Sequence, residues 1–547
     1  MIKRLCKGAS AGISISVAMC FLYFIYAPLE LFFTNTDEFW FDLSVLLTAM
    51  GATFLVAVLL CVCVMIFLST KLHRVYDFAV IACGVIYIAT YIQGNFLVKN
   101  LPPLDGTAID WSDYPIERIK SILVWIAVIV LMLILIKVVQ MDRLQAAVKW
   151  ISCGATAMLL ITISSLCVMS KGYESKANLT VSTKDLFEVS ENHNFIILLL
   201  DAADSSVFTE LLDKHPEYED IFEDFTYYRN TMGVYSFTKH SIPFILSGDW
   251  YENDETFEEY SMNAYMESSL FEELEKQNYK MGIYEEELLL PDERFRKFDN
   301  ILSNEWGTRP WTAFVRWQIQ MVGFKYAPYD LKRICFVNPN AFKKLRIPPE
   351  GYETFTDSNV DFYEGILNEE VSYTSENSFK FIHVSGAHLP FRYDENMNII
   401  EDATYETNME ASMTIAREYL NKLRDSGVYD NSVIIVMADH GFSSTDYEEL
   451  YRQNPILFVK GIGEKHDMQT SLAPVSFVDL QEAYHRLLTG AESTEIFDCK
   501  EGEERERRYL FYHYNDESPM YEYKQTGMAW DRESFVPTGK EYIYGDE

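Results

Sequence analysis

Five apolar segments crowd the first 170 residues, approximately Ala9 to Phe33, Leu43 to Leu68, Phe78 to Val98, Ile122 to Val139 and Trp150 to Met169. Each approaches or exceeds the roughly 20 residues an α-helix needs to cross about 30 Å of hydrocarbon. Uninterrupted runs such as SILVWIAVIVLMLILI make transmembrane spans the stronger reading and a buried helical domain the weaker. One apolar stretch near an N-terminus fits a cleavable signal, but four more follow it, so the first reads as a retained span. With the N-terminus inside, the inner segments hold Lys3, Arg4, Lys7, Lys71, Arg74, Lys137, Arg143 and Lys149, while the outer loops hold Lys99, Arg118 and Lys120. That is the positive-inside asymmetry. An odd number of spans then puts residues 171–547 outside the cytoplasm, and the expected location is the cell membrane, multi-pass.

A chain of 547 residues exceeds what one hydrophobic core supports, and charge marks the division. Residues 1–170 carry 11 Lys/Arg against 10 Asp/Glu, leaving 35 against 71 for residues 171–547, so a near-neutral part precedes one of net charge −36. The expected organisation is a transmembrane domain over 1–170, a linker over 171–192 and an outer domain over 193–547. Such acidity excludes a general nucleic-acid binder, whose affinity for phosphate comes from clustered cations. Beyond the membrane part only Cys335 and Cys499 remain of nine cysteines, so the outer domain is no disulfide scaffold, although one bridge is permitted.

Residues 170–192 are polar and aperiodic and read as a linker with a short helix. Beyond them short apolar runs alternate with longer amphipathic stretches, the pattern of a parallel α/β sheet. FIILLL (195–200), FIHV (381–384) and VIIVM (433–437) read as buried strands. Ligands of open α/β sheets collect at the carboxyl ends of strands. There stand Asp201, His388 in SGAHLPF, and the pair Asp439-His440 in MADHGF. Any one of them alone reads as a turn former or helix cap. Together, carboxylate oxygen and imidazole nitrogen suit Zn²⁺ or Mn²⁺ better than Ca²⁺. A fourth element is TKHSIP, where Thr238, Lys239, His240 and Ser241 run into an apolar segment after Pro243. Proline favours a first helical turn, so this polar cluster would lie where free backbone N–H groups attract an anion. A hydroxyl held there by a divalent cation becomes a nucleophile, although a plain Ser/Thr helix cap accounts for the same residues.

In this order the residues resemble the alkaline-phosphatase superfamily, and more closely its membrane-bound sulfatase-fold transferases: lipoteichoic-acid synthases, phosphoglycerol transferases and phosphoethanolamine transferases. The resemblance covers most of the chain. It implies five spans followed by an extracytoplasmic α/β domain of alkaline-phosphatase/sulfatase fold. It also implies one divalent metal, Zn or Mn, on Asp201, Thr238, Asp439 and His440, with Thr238 the nucleophile. His388 in HLPF matches the histidine that contacts the transferred group, and NPILFVKG and SFVDLQEAYHRLLTG match a closing strand and helix. Three departures narrow the reading. Thr238 is not followed by x-Pro-x-Arg, so formylglycine-dependent sulfatase chemistry is not expected. No Asp-x-x-x-His companion supplies a second metal. The segment FSSTDYEELYRQNP lacks a further histidine common in relatives.

The function this implies is transfer of a phosphoglycerol or phosphoethanolamine head group from an outer-leaflet phospholipid to a glycan, glycolipid or polymer acceptor through a phosphothreonine. A membrane-anchored hydrolase passing the group to water, and a non-catalytic receptor or scaffold, are the alternatives. Lys239 and His240 are candidates to bind the substrate phosphate with His388, against the plainer reading of a solvated helix start. His383 reads as a hydrogen-bonded core histidine, Asp204 as an outer partner of the site or a helix cap. The Tyr/Phe-rich YLFYHYNDESPMYEYKQTGMAW reads as a small antiparallel β addition.

Overall fold

The computed structural model describes residues 8–36, 39, 41–98, 101, 109, 111–173, 179–290, 292–303, 311–337, 351–442, 449–513 and 516–544. Lys3, Arg4, Lys7 and Lys99 of the orientation argument lie outside the described residues, as do 174–178 of the expected linker and 443–448 of FSSTDYEELYRQNP. The chain divides into two compact units, residues 1–178 with 304–347, and residues 179–303 with 348–547. The sequence pattern predicts an uninterrupted outer domain from 193. Residues 311–337 instead belong with the apolar helices, because Phe314, Val322 and Tyr326 of helix Trp311–Tyr326 are buried in the same cluster as Tyr26, Phe41 and Tyr87.

The first unit contains five helices long and apolar enough to span a membrane: α1 (Ser10–Thr34), α2 (Leu43–Lys71), α3 (His73–Phe96), α4 (Pro115–Val138) and α5 (Met141–Ser170). Each overlaps an apolar segment of the sequence and extends past at least one of its two ends. Leu55, Leu59 and Leu60 of α2 and Leu123, Leu131 and Leu133 of α4 face outward, a surface that hydrocarbon tolerates and water does not. In α1 the turn Leu22–Tyr26 widens to π-helical geometry just before Pro28. A proline has no N–H for the carbonyl four residues back, and a widened turn absorbs that loss.

The second unit is built on a seven-stranded sheet. Its strands are β1 (Asn194–Leu200), β2 (Thr226–Tyr228), β3 (Tyr279–Tyr284), β4 (Asn377–Val384), β5 (Ser432–Met437), β6 (Leu457–Lys460) and β7 (Gln469–Ser471), in the order β7-β2-β6-β5-β1-β4-β3. The three runs expected as buried strands are adjacent in the sheet, as β5, β1 and β4. They are parallel and in register, Ile197 facing Phe381 on β4 and Ile435 on β5. Every residue of β1 is buried, as the continuous apolar sequence of a strand covered on both faces requires. Helices α6 (Ser205–Lys214), α7 (Thr238–Ser247), α8 (Tyr405–Asp425) and α9 (Leu480–Leu488) accompany the sheet. The aromatic C-terminal stretch forms the expected antiparallel addition, β8 (Glu506–His513), β9 (Asp516–Thr526) and β10 (Phe535–Tyr542).

Two local expectations need correction. Where a short helix is expected in the linker, residues 179–192 contribute two short strands, Leu179–Val181 paired with Ile301–Ser303 and Glu188–Ser190 paired with Ser372–Thr374. Backbone pairing with distant segments decides their conformation. And Pro243 is the sixth residue of α7, past the first turn where a proline is expected, although the polar cluster beginning at Thr238 does form the helix start. Cys335 and Cys499 are free thiols.

Candidate active site

Because β5, β1 and β4 are parallel neighbours, the residues after their carboxyl ends converge. Ligand atoms of Asp201, Asp439 and His440 all lie within 4.8 Å of one another, and these residues are 6%, 0% and 1% exposed. His440 Nε2 is 3.6 Å from Asp201 Oδ1 and 3.4 Å from Asp439 Oδ2. Both of those carboxylate oxygens are buried without a hydrogen-bond partner. Orphaned buried oxygens are costly, and a cation held between them removes the cost. The remaining atoms are oriented: Asp439 Oδ1 accepts from the N–H of Ala202 at 3.2 Å. His440 Nδ1 donates to the carbonyl of Gly441 at 2.8 Å, which turns the Nε2 lone pair inward. Two carboxylates and an imidazole thus fit a divalent ion such as Zn²⁺ or Mn²⁺.

Thr238 is the first residue of the ten-residue helix α7. Its hydroxyl donates to His440 Nε2 at 3.4 Å, so the expected nucleophile lies beside one of the three expected metal ligands. The helix start adds unsatisfied N–H groups and the positive end of the helix dipole. Two glycines allow the close packing. Gly386, at φ +51, would bring a Cβ to 2.6 Å from the Asp201 nitrogen, and a Cβ on Gly441 would meet Asp204 Oδ2 at 2.5 Å. Both positions therefore exclude a side chain.

Electrostatics separate the two carboxylates. Burial opposes ionisation of Asp201, but the imidazoles of His388, His383 and His440 outweigh it and hold the carboxyl well below its ordinary range. Asp439 is pushed up, by burial first and then by the charge of Asp201. Burial lowers His440, keeping it a neutral ligand. Two adjacent buried carboxyls divide in this way because the charge on one disfavours ionisation of the other.

His388 lies beside this group, half-buried, with its ring centre 6.5 Å from that of His440. Its Nδ1 donates to the Leu389 carbonyl at 2.7 Å, which leaves Nε2 available. Lys239 and His240 engage other partners. Lys239 Nζ is held by Glu517 at 2.8 Å. His240 is fully buried, its Nδ1 2.7 Å from the Tyr512 hydroxyl and its ring stacked on Tyr251, and burial lowers its pKa well below the ordinary range. Successive helical residues point about 100° apart, so a residue adjacent to Thr238 in sequence need not share its face. Asp204 caps α6, accepting from Ser206 and Val207 N–H, and its other oxygen accepts from Phe442 N–H at 3.1 Å. It therefore ties β1 to the Asp-His-Gly turn.

Two further participants have contacts that the sequence does not signal. His383 is buried as expected of a core histidine, but it bridges the site, with Nε2 3.6 Å from Asp201 Oδ2 and Nδ1 hydrogen-bonded to Glu285. The continuous apolar run around it gives its burial, while its partner Glu285, just past the end of β3, is 98 residues away and invisible to spacing. Arg452 is a cation near the site. Its guanidinium lies 4.9 Å over the ring of Phe237, next to Thr238, its Nε is buried without a partner, and its charge helps to lower His440, behind burial. It sits in a polar segment with no motif.

Three adjacent parallel strands of a mixed sheet, in which β6 runs antiparallel to β5 and β2, bring two carboxylates and an imidazole beside a helix-initial threonine, the layout of a hydrolase or transferase. A family model described as Sulfatase matches residues 193–490, and the chain belongs to that family. Among solved structures, the lipoteichoic acid synthase LtaP from Listeria monocytogenes is 14% identical over 63% of this chain and 88% of its own, with a TM-score of 0.35. An alkaline-phosphatase-superfamily protein from Vibrio parahaemolyticus is 13% identical over 66% and 85%, at 0.36. The putative sulfatase yidJ from Bacteroides fragilis is 12% identical over 62% and 84%, at 0.36. No curated protein matches the chain by sequence.

Proposed function

We propose that this protein is a membrane-anchored transferase that moves a phospho-head group, phosphoglycerol or phosphoethanolamine, from an outer-leaflet phospholipid to a hydroxyl acceptor of the cell envelope. One observation carries the reading: Thr238 Oγ1 stands 3.4 Å from His440 Nε2, beside two buried carboxylate oxygens that lack partners, in a chain with five candidate spans. Asp201, Asp439, His440 and Thr238 would hold the divalent ion, Zn or Mn. When bound, the ion lowers the pKa of a coordinated hydroxyl and neutralises charge on phosphoryl oxygens.

The protein's own groups do the rest. Thr238 Oγ attacks the phosphodiester phosphorus, the bond to the diacylglycerol oxygen breaks, and a phosphothreonine remains. Arg452 and the N–H groups at the start of α7 neutralise the equatorial oxygens. His388 Nε2 gives the leaving oxygen a proton; in the second half-reaction it takes one from the acceptor hydroxyl, whose oxygen bonds to phosphorus as the bond to Thr238 Oγ breaks and frees Thr238 for the next cycle. Confinement of donor and enzyme to one membrane raises their effective concentration.

The test supplies the full-length protein in proteoliposomes with phosphatidylglycerol or phosphatidylethanolamine labelled in the head group. The expected result is label on the peptide containing Thr238, absent from Thr238→Ala. Equal labelling of the variant overturns the covalent step. Label released to water at a rate no acceptor changes identifies a hydrolase instead.

A further inference from the structure

The catalytic reading leaves residues 311–337 unused. They contain Arg316, Lys325, Lys332 and Arg333 against a single acid, Asp330, although they lie within a 171–547 stretch of net charge −36. We propose that this segment lies in the membrane interface and binds anionic phospholipid, Arg316 and Arg333 holding the lipid phosphate and the outward apolar side chains entering the acyl boundary.

Its seat in the first unit fixes its level. Tyr326 donates to Glu30 of α1 at 2.7 Å, and Lys325 Nζ is 3.0 Å from the same carboxylate. The Tyr326 ring lies over Gly94 near the end of α3, where a Cβ would come within 2.3 Å of it. Phe314 packs edge-on against Phe41, just ahead of α2, with ring centres 4.9 Å apart. The Tyr329 N–H donates to Ser121 in α4 at 3.1 Å, and its hydroxyl donates to the Trp111 carbonyl, just ahead of α4, at 2.7 Å. The late part of α1, the approach to α2, the end of α3 and the early part of α4 share one face of a bundle whose spans alternate in direction. The segment therefore crosses that rim, at the depth where hydrocarbon gives way to head groups. The positive-inside pattern makes it the outer rim.

The side turned away from the bundle has the composition of an interfacial surface. Ile319, Leu331 and Ile334 are exposed, Ile334 by 70%, and Arg316 and Arg333 are exposed among them. In water these aliphatic side chains would be a liability. In the interface they bury about 5–10 Å deep while the guanidinium groups snorkel to phosphate. Each such cation is worth about a fivefold enrichment of anionic lipid. The proposal does not depend on the catalytic reading.

The test uses full-length protein in nanodiscs of equal phosphatidylglycerol and phosphatidylcholine, with p-benzoylphenylalanine replacing Ile319 or Ile334. The same photoprobe at Ile129, an outward residue in the middle of α4, reports the bulk lipid ratio. Lipid adducts are expected at both positions, enriched at least threefold in phosphatidylglycerol over the Ile129 reference. The enrichment should fall to the reference in an Arg316→Gln, Arg333→Gln background and return with Arg316→Lys, Arg333→Lys. Adducts without enrichment overturn the headgroup site. Absence of lipid adducts at Ile319 and Ile334, with Ile129 still yielding them, overturns the interfacial placement and makes a protein partner the occupant.

Discussion

At the scale of single residues, the site is held by atoms that lack partners. Asp201 Oδ1 and Asp439 Oδ2 are buried and unsatisfied, so removing either carboxylate should cost metal and not only rate. Asp201→Asn and His440→Ala in the purified full-length protein should lower bound Zn or Mn, measured by elemental analysis, at least tenfold. Thr238→Ala should retain most of the metal while losing on the order of 10⁶-fold in turnover, the scale on which an essential nucleophile acts. Full metal occupancy in His440→Ala would show that the ion sits elsewhere. Asp201, Asp439, His440, Thr238 and His388 were legible because each stands at a strand end or helix start next to a recognisable run. Arg452 and Glu285 were not, since a side chain reaching the site from a distant loop or strand leaves no periodicity. Lys239 and His240 show the converse: adjacency to Thr238 in sequence gave each a different direction and different partners.

Elements transmit the same order. Asp204 caps α6 and grips the N–H of Phe442, and burial raises its carboxyl to about 6 against the opposing pull of those N–H donors. An unfolded aspartate titrates near pH ~3.9, so between about pH 4 and 6 the folded chain holds a proton that the unfolded chain has lost. The contribution of Asp204 to stability is therefore fully present below about pH 4, declines as pH rises through 6, and costs up to about 3 kcal/mol above it. Asn caps a helix as well as Asp does and carries no such charge. Melting of full-length Asp204→Asn should fall less between pH 5 and 7.5 than melting of the wild type. Identical slopes would mean that Asp204 does not carry the effect. Strands β1, β4 and β5 could be read from continuous apolar runs of the kind a doubly covered strand requires. The short strands at 179–181 and 188–190 could not, because their pairing partners lie more than a hundred residues away.

Across the whole molecule, charge and substrate route are linked. Net charge −36 on residues 171–547 opposes the approach of any dissolved anion, while the cations near Thr238 and on the 311–337 segment are local exceptions. A phosphodiester arriving from the membrane bypasses that field, and one arriving from bulk water must cross it. The two routes respond differently to salt. Raising ionic strength from about 0.01 M to 0.15 M shortens the screening length from about 30 Å to about 8 Å. For a soluble anionic substrate such as bis(p-nitrophenyl) phosphate, kcat/KM of the full-length protein should then rise, by roughly two- to fivefold, through KM. For an anionic lipid donor in proteoliposomes the same change should leave turnover flat or lower it, because screening weakens the Arg316 and Arg333 contacts with phosphate. A soluble substrate whose kcat/KM falls with salt would mean that the field at the mouth of the site is positive, and that the acidity of this chain is confined to surfaces the substrate never meets.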